Sequence, residues 1–99
     1  MTSIENKIPE IGRKALDALA NDERRTIAIA LSEKGEMSFK QLASFMQMSP
    51  GTMNYYLKPL FLAGIVENHY KKVPSSDEYS FYEASDFGKD IVKLFLSIK

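Results

Sequence analysis

Apolar positions recur at helical spacing in five segments of this chain, and two short runs dense in β-branched and aromatic residues separate the fourth segment from the fifth. Pro9 suits the first turn of a helix that reaches Ala20, with Ile11, Ala15, Ala18 and Leu19 on one side. Asn21 then reads as an N-cap. Asp22 and Glu23 favour a helix start, Ile27, Ala30 and Leu31 give an apolar stripe, and Gly35 follows Lys34 as a stop, so a second helix is predicted over 22–34. Ser38 and Gln41 have capping-box spacing and predict a third, short helix beginning there, with Phe39, Leu42, Phe45 and Met46 on its apolar face. Gln47 and Met48 form a tight link to Ser49 and Pro50, the N-cap and first residue of a fourth helix running to Ala63. In that helix Met53, Leu57 and Leu60 recur at i, i+4 and i+7 and face the core, which leaves Gly51, Thr52, Asn54, Tyr55 and Lys58 on the surface. Gly64 ends it.

Ile65 to Lys72 and Tyr79 to Ala84 read as strands, and the turn formers Val73 to Asp77 between them make an antiparallel hairpin the economical connection. Ser85 or Asp86 caps a last helix whose stripe is Phe87, Ile91, Leu94, Phe95 and Ile98. The expected fold is mainly α with a small β-hairpin, in the order α-α-α-α-β-β-α. A length of 99 residues with 44% hydrophobic content suits one domain over 1–99 with one modest core. No apolar run reaches membrane-spanning length, and with charged residues among the first isoleucines no secretory leader is expected, so the expectation is a soluble, cytoplasmic protein.

Two short helices joined by a few residues and followed by a hairpin form a winged helix-turn-helix, which presents its second helix to a DNA major groove while the hairpin reaches the flank. Net charge is zero, but residues 37–76 carry Lys40, Lys58, Lys71 and Lys72 against Glu67 alone, a small basic excess that suits either a nucleic-acid partner or an ordinary solvated surface. Asn54 is the candidate for bidentate contact with adenine, with Gly51, Thr52 and Tyr55 beside it. Lys40, Lys58, Lys71 and Lys72 are candidates for phosphate, together with Ser75 at the hairpin tip. Ser38 and Ser49 stand at helix N-termini, where they cap and can also meet phosphate. Tyr56 neighbours Leu57 and reads as packing.

The last helix carries more apolar surface than one core needs, since Val92 and Leu96 add to its stripe, and the first helix repeats this at Ile4, Ile8 and Ile11. Ile4, Ile8, Ile11, Ile91, Phe95 and Ile98 are therefore the expected homodimer interface, which sets two recognition helices one DNA turn apart, about 34 Å.

From Leu19 to Val66 the chain resembles ArsR-type winged helix regulators. Leu19-Ala20-Asn21 with Arg24 is similar to that family's Leu-Ala-Asp opening of the second helix, and Glu36 to Ala43 to the approach to its helix-turn-helix. Ser49 to Val66 resembles its recognition helix and Ala-Gly-Leu/Ile-Val exit, and Phe81 to Lys89 the strand-to-helix junction of archaeal and bacterial winged helix regulators. The resemblance implies dimers that read pseudo-palindromic duplex DNA. Four departures stand out: Gln41 to Phe45 lacks the Cys-x-Cys-like pair of the metal sensors, Asp86 and Asp90 have no histidine beside them, Tyr55 stands where arginine is common, and Pro59 interrupts the recognition helix and is expected to bend it.

The chemistry that remains is sparse. With no cysteine, one histidine, no phosphate-binding glycine loop and no glycine-flanked serine, neither an enzyme nor a cofactor or metal site is expected, and His69 reads as a structural or surface residue. A small-molecule effector at the dimer seam stays open. The competing reading, from zero net charge and abundant tyrosine, is a winged helix used as a protein-interaction module.

Overall fold

The computed structural model describes residues 10–72 and 80–97, except for the side chain of Ile11. α1 (Glu10–Leu19) has no cation in its last turn, so its terminal carbonyls need partners from elsewhere. α2 (Asp22–Lys34) supplies them: Arg24 Nε donates to the Ala18 carbonyl at 2.7 Å and Arg25 Nη1 to that of Leu19 at 2.9 Å. The turn between the two helices is short because Asn21 caps α2 directly, its side chain accepting from the Arg24 amide at 2.9 Å.

β1 (Met37–Ser38) leads into α3 (Phe39–Met46), and α4 (Pro50–Leu62) follows. Between α3 and α4, Gln47 takes the left-handed conformation at φ 57°, while its amide bonds Ser44 and that of Met48 bonds Ala43. This is a Schellman turn built on a residue other than glycine. Ala63 caps α4 and Gly64, at φ 76°, completes a second such turn, with the Ile65 amide on the Leu60 carbonyl at 3.0 Å. The helix runs uninterrupted through Pro59, whose own carbonyl accepts from Ala63.

The sheet has three strands where the sequence predicts two. β2 (Val66–Tyr70) and β3 (Ser80–Ala84) form the expected antiparallel hairpin, and β1 adds to the other edge of β3, giving the order β1-β3-β2. Met37 pairs with Tyr82 and Ser38 with Phe81. Two residues carry no periodicity, so only their partner strand could reveal β1. The tip of the hairpin, Val73 to Asp77, lies outside the described residues.

α5 (Asp86–Ser97) starts at Ser85, whose hydroxyl accepts from the Gly88 amide at 2.8 Å and donates to the Gly64 carbonyl at 2.6 Å. Its buried face is Gly88, Ile91 and Val92, with Phe95 half-buried beneath the Arg25 guanidinium, 5.2 Å from the ring centre. The expected stripe is thereby corrected. Leu94 is 51% exposed and Val92 is in the core, because side-chain-free Gly88 lets this side of the helix approach the chain at Ile65. Leu19, Ile27, Leu31, Leu42, Met53, Leu60 and Ile65 make the fully buried centre, and Val66 and Ala84 of the sheet and Ile91 and Val92 of α5 join it.

Candidate nucleic-acid interface

α4 divides cleanly into two faces. Met53 and Leu60 are fully buried and Leu57 nearly so, while Gly51, Thr52, Asn54, Tyr55 and Lys58 are exposed. Periodicity alone produces this division, since the three core residues fall on one side of a 3.6-residue repeat. The start of the helix is fixed by Ser49, whose hydroxyl accepts from the Thr52 amide at 3.3 Å and donates to the Thr52 hydroxyl at 3.0 Å. Tyr55 is 69% exposed and lies edge-on to half-buried Tyr56, with ring centres 5.1 Å apart.

Beside this face, α4 and the sheet border an open cleft of roughly 400 Å³, where Asn54, Lys58 and Phe61 look across at Asn68 and Tyr70 of β2 and Tyr82 of β3. Pairing of Asn68 with Tyr82 and of Tyr70 with Ser80 sets these residues on the sheet face that continues from buried Val66 and Ala84. Asn68 is held by donating to the Ser80 hydroxyl at 2.9 Å and the Phe81 carbonyl at 3.0 Å. Phe61 and Tyr70 are exposed at the cleft, and Leu62 is exposed at the end of α4. Sequence reasoning missed Phe61, Asn68 and Tyr70, because cleft membership depends on the β2–β3 register.

The predicted contact residues separate as follows. Gly51, Thr52, Asn54, Tyr55 and Lys58 share the outward side of α4, Ser49 sits at its N-terminus, and Lys40 is exposed on α3. Lys71 and Lys72 leave the end of β2, both exposed. The Lys71 ammonium is bound to the Glu36 carboxylate and lies over the Phe81 ring, 5.1 Å from its centre. Ser38 requires a correction. It is only 1% exposed, and its hydroxyl accepts from the Gln41 amide at 3.0 Å while Gln41 Oε1 accepts from the Ser38 amide at 2.9 Å. The capping box and the pairing with Phe81 enclose it, so it is a structural cap rather than a surface for phosphate. Ser75 lies outside the described residues.

Of the expected dimer interface, Ile91 is corrected as well: at 8% exposure it belongs to the core of its own chain. Phe95 is half-buried under Arg25, and the exposed apolar residues of α5 are Leu94 and Leu96. Ile4, Ile8, Ile98 and the side chain of Ile11 lie outside the described residues. No helix among the described residues is long and apolar enough to cross a membrane.

Helix-turn-helix, capped recognition helix and three-stranded wing sheet together define a winged helix-turn-helix protein. No protein-family model and no curated protein matches the sequence. Among solved structures, the chain is similar to a transcriptional regulator homologue from Pyrococcus horikoshii, at 26% identity and TM-score 0.72 over 90% of this chain and 89% of that one. It is also similar to a homodimeric winged helix-turn-helix DNA-binding domain from Mycobacterium bovis described as a possible ArsR-family regulator, at 22% identity and TM-score 0.74 over 99% and 83% of the two chains. A third is S. aureus MepR in complex with DNA, at 17% identity and TM-score 0.69 over 90% and 75%.

Proposed function

We propose that this chain is a homodimeric transcriptional regulator that reads duplex DNA by placing α4 in the major groove, with the β2–β3 wing on the flanking backbone. One observation carries the reading: with Met53, Leu57 and Leu60 turned into the core, Thr52, Asn54, Tyr55 and Lys58 of α4 are all exposed among the described residues. A helix so divided can enter a groove without losing its core. Asn54 reads adenine, Thr52 and Tyr55 contact bases or sugars, and Lys40, Lys58, Lys71 and Lys72 neutralise phosphate. The ArsR type is the subfamily that the sequence resemblance favours. Repression by promoter occlusion, in the cytoplasm and without catalysis, is the corresponding mode of action.

Dimerisation follows from α5, where Leu94 and Leu96 remain uncovered within one chain. The test is selection of bound sequences from a random duplex pool, followed by binding titrations of the selected site at two salt concentrations. A regulator enriches a pseudo-palindrome and weakens steeply as salt rises. Absence of binding at low salt would overturn the proposal in favour of a protein-interaction module, for which exposed Phe61, Leu62 and Tyr70 are the available surface.

A further inference from the structure

The outer face of the sheet carries an arrangement that DNA reading does not use. In the β1–β3 register Met37 faces Tyr82, so the preceding residue, Glu36, stands level with Glu83, and Glu83 in turn pairs with Glu67 on β2. Glu67 and Glu83 thus lie side by side on β2 and β3, with Glu36 beside them just ahead of β1. Like charges directly opposite each other destabilise a sheet unless a cation lies among them. His69, two residues beyond Glu67 on the same face, turns its Nε2 toward the row, 3.3 Å from Glu83 Oε1 and 3.7 Å from Glu67 Oε1. Ligand atoms of Glu36, His69 and Glu83 all lie within 4.8 Å of one another. The ammonium of Lys71 reaches Glu36 from the end of β2 and is bound to its carboxylate.

We propose that Glu36, His69 and Glu83 form a binding site for one divalent cation of the zinc type at the base of the wing, and that filling it displaces Lys71 from Glu36. One imidazole nitrogen and two carboxylates are a donor set for such an ion, with Glu67 or water completing the coordination. Ligands about 2.1 Å from a shared ion stand roughly 3.4 Å apart in tetrahedral geometry. The His69–Glu83 separation of 3.3 Å already fits, and the Glu36 carboxylate has only to swing inward on its own side chain. An ion there supplies the charge that Lys71 now supplies in part. It also ties the approach to α3 to both wing strands, and it leaves the Lys71 ammonium free for phosphate. This last consequence rests on the DNA-binding proposal; the site itself does not. It is separate from the third-helix and last-helix positions, where the sequence lacks the cysteine pair and the histidine of the family's sites.

Calorimetric titration of the untagged, chelator-treated full chain with zinc chloride tests the site without DNA. One ion per chain is expected, with affinity at least about tenfold lower in His69→Ala and in Glu83→Gln, circular dichroism confirming that both remain folded. Lys71→Ala removes the competitor for Glu36 and is expected to bind zinc more tightly than the natural chain. Absence of binding, or equal binding by natural chain and His69→Ala, overturns the site. Titrations of a random duplex over a range of salt then test the coupling: zinc is expected to steepen the logarithmic salt slope by about one unit, as one added phosphate contact does. An unchanged slope with zinc bound overturns the release of Lys71. Absence of DNA binding under any condition overturns the regulator reading, while calorimetry still decides the site.

Discussion

Gly88 on α5 lies so close to the carbonyl of Ile65 that a Cβ placed on it would stand 2.0 Å from that oxygen. The same carbonyl accepts from the Ser85 amide at 2.9 Å, so it is fixed in place and cannot swing away. This contact positions α5 on the junction between α4 and β2, and through it Ile91 and Val92 reach the core. Gly88→Ala is expected to destabilise the fold by about 3 kcal/mol through overpacking against backbone. Gly51→Ala is the control, because nothing lies within 4 Å of a Cβ there. On α4 it should be neutral or stabilising by up to about 1 kcal/mol. Urea denaturation of the two variants measures both, and equal stability would show that the α5 junction yields.

Asn54→Ala is expected to cost about 1 to 3 kcal/mol of binding to the selected site and to flatten discrimination at one base pair. Lys72→Ala should weaken every sequence alike and reduce the salt slope by about one unit. Fluorescence anisotropy on specific and random duplexes separates the two; equal loss on both duplexes from Asn54→Ala removes it from base readout.

Ser38→Ala removes the cap of α3 and should cost about 1 to 2 kcal/mol of stability. Because the hydroxyl is buried, the salt dependence of DNA binding should not change in conditions where the variant is folded. A reduced slope would return Ser38 to the phosphate contacts.

The Ser32 hydroxyl is buried with no hydrogen-bond partner, alone in this among the described side chains. Such a group costs about 1 to 3 kcal/mol. Ser32→Ala is therefore expected to raise the melting temperature or leave it unchanged, as scanning calorimetry will show.

Leu94→Asp tests the dimer. The residue is exposed in one chain, so its charge costs little there, yet a carboxylate would be buried if a partner's α5 covered it. Sedimentation is expected to show a shift toward monomer at unchanged helix content. A dimer of natural strength would move the interface elsewhere.

The helices and their caps were legible in the sequence because they rest on local relationships. α2 and the division of α4 followed from spacing and capping residues within a turn or two of each other. The exposed set on α4 was readable for the same reason: three core residues on one side fix where the others point.

What tertiary structure decided is whatever depends on segments far apart in sequence. β1 exists because Met37 and Ser38 meet Tyr82 and Phe81, and no pattern within two residues could announce that. The rotation of α5 depends on the Ile65 carbonyl meeting Gly88, a residue that adds nothing to any apolar stripe. Ser38 became buried, and Glu36, His69 and Glu83 became neighbours, only once strand register brought them together. Local spacing determines which face of a helix is apolar; long-range pairing determines what that face, or a strand's side chains, will touch.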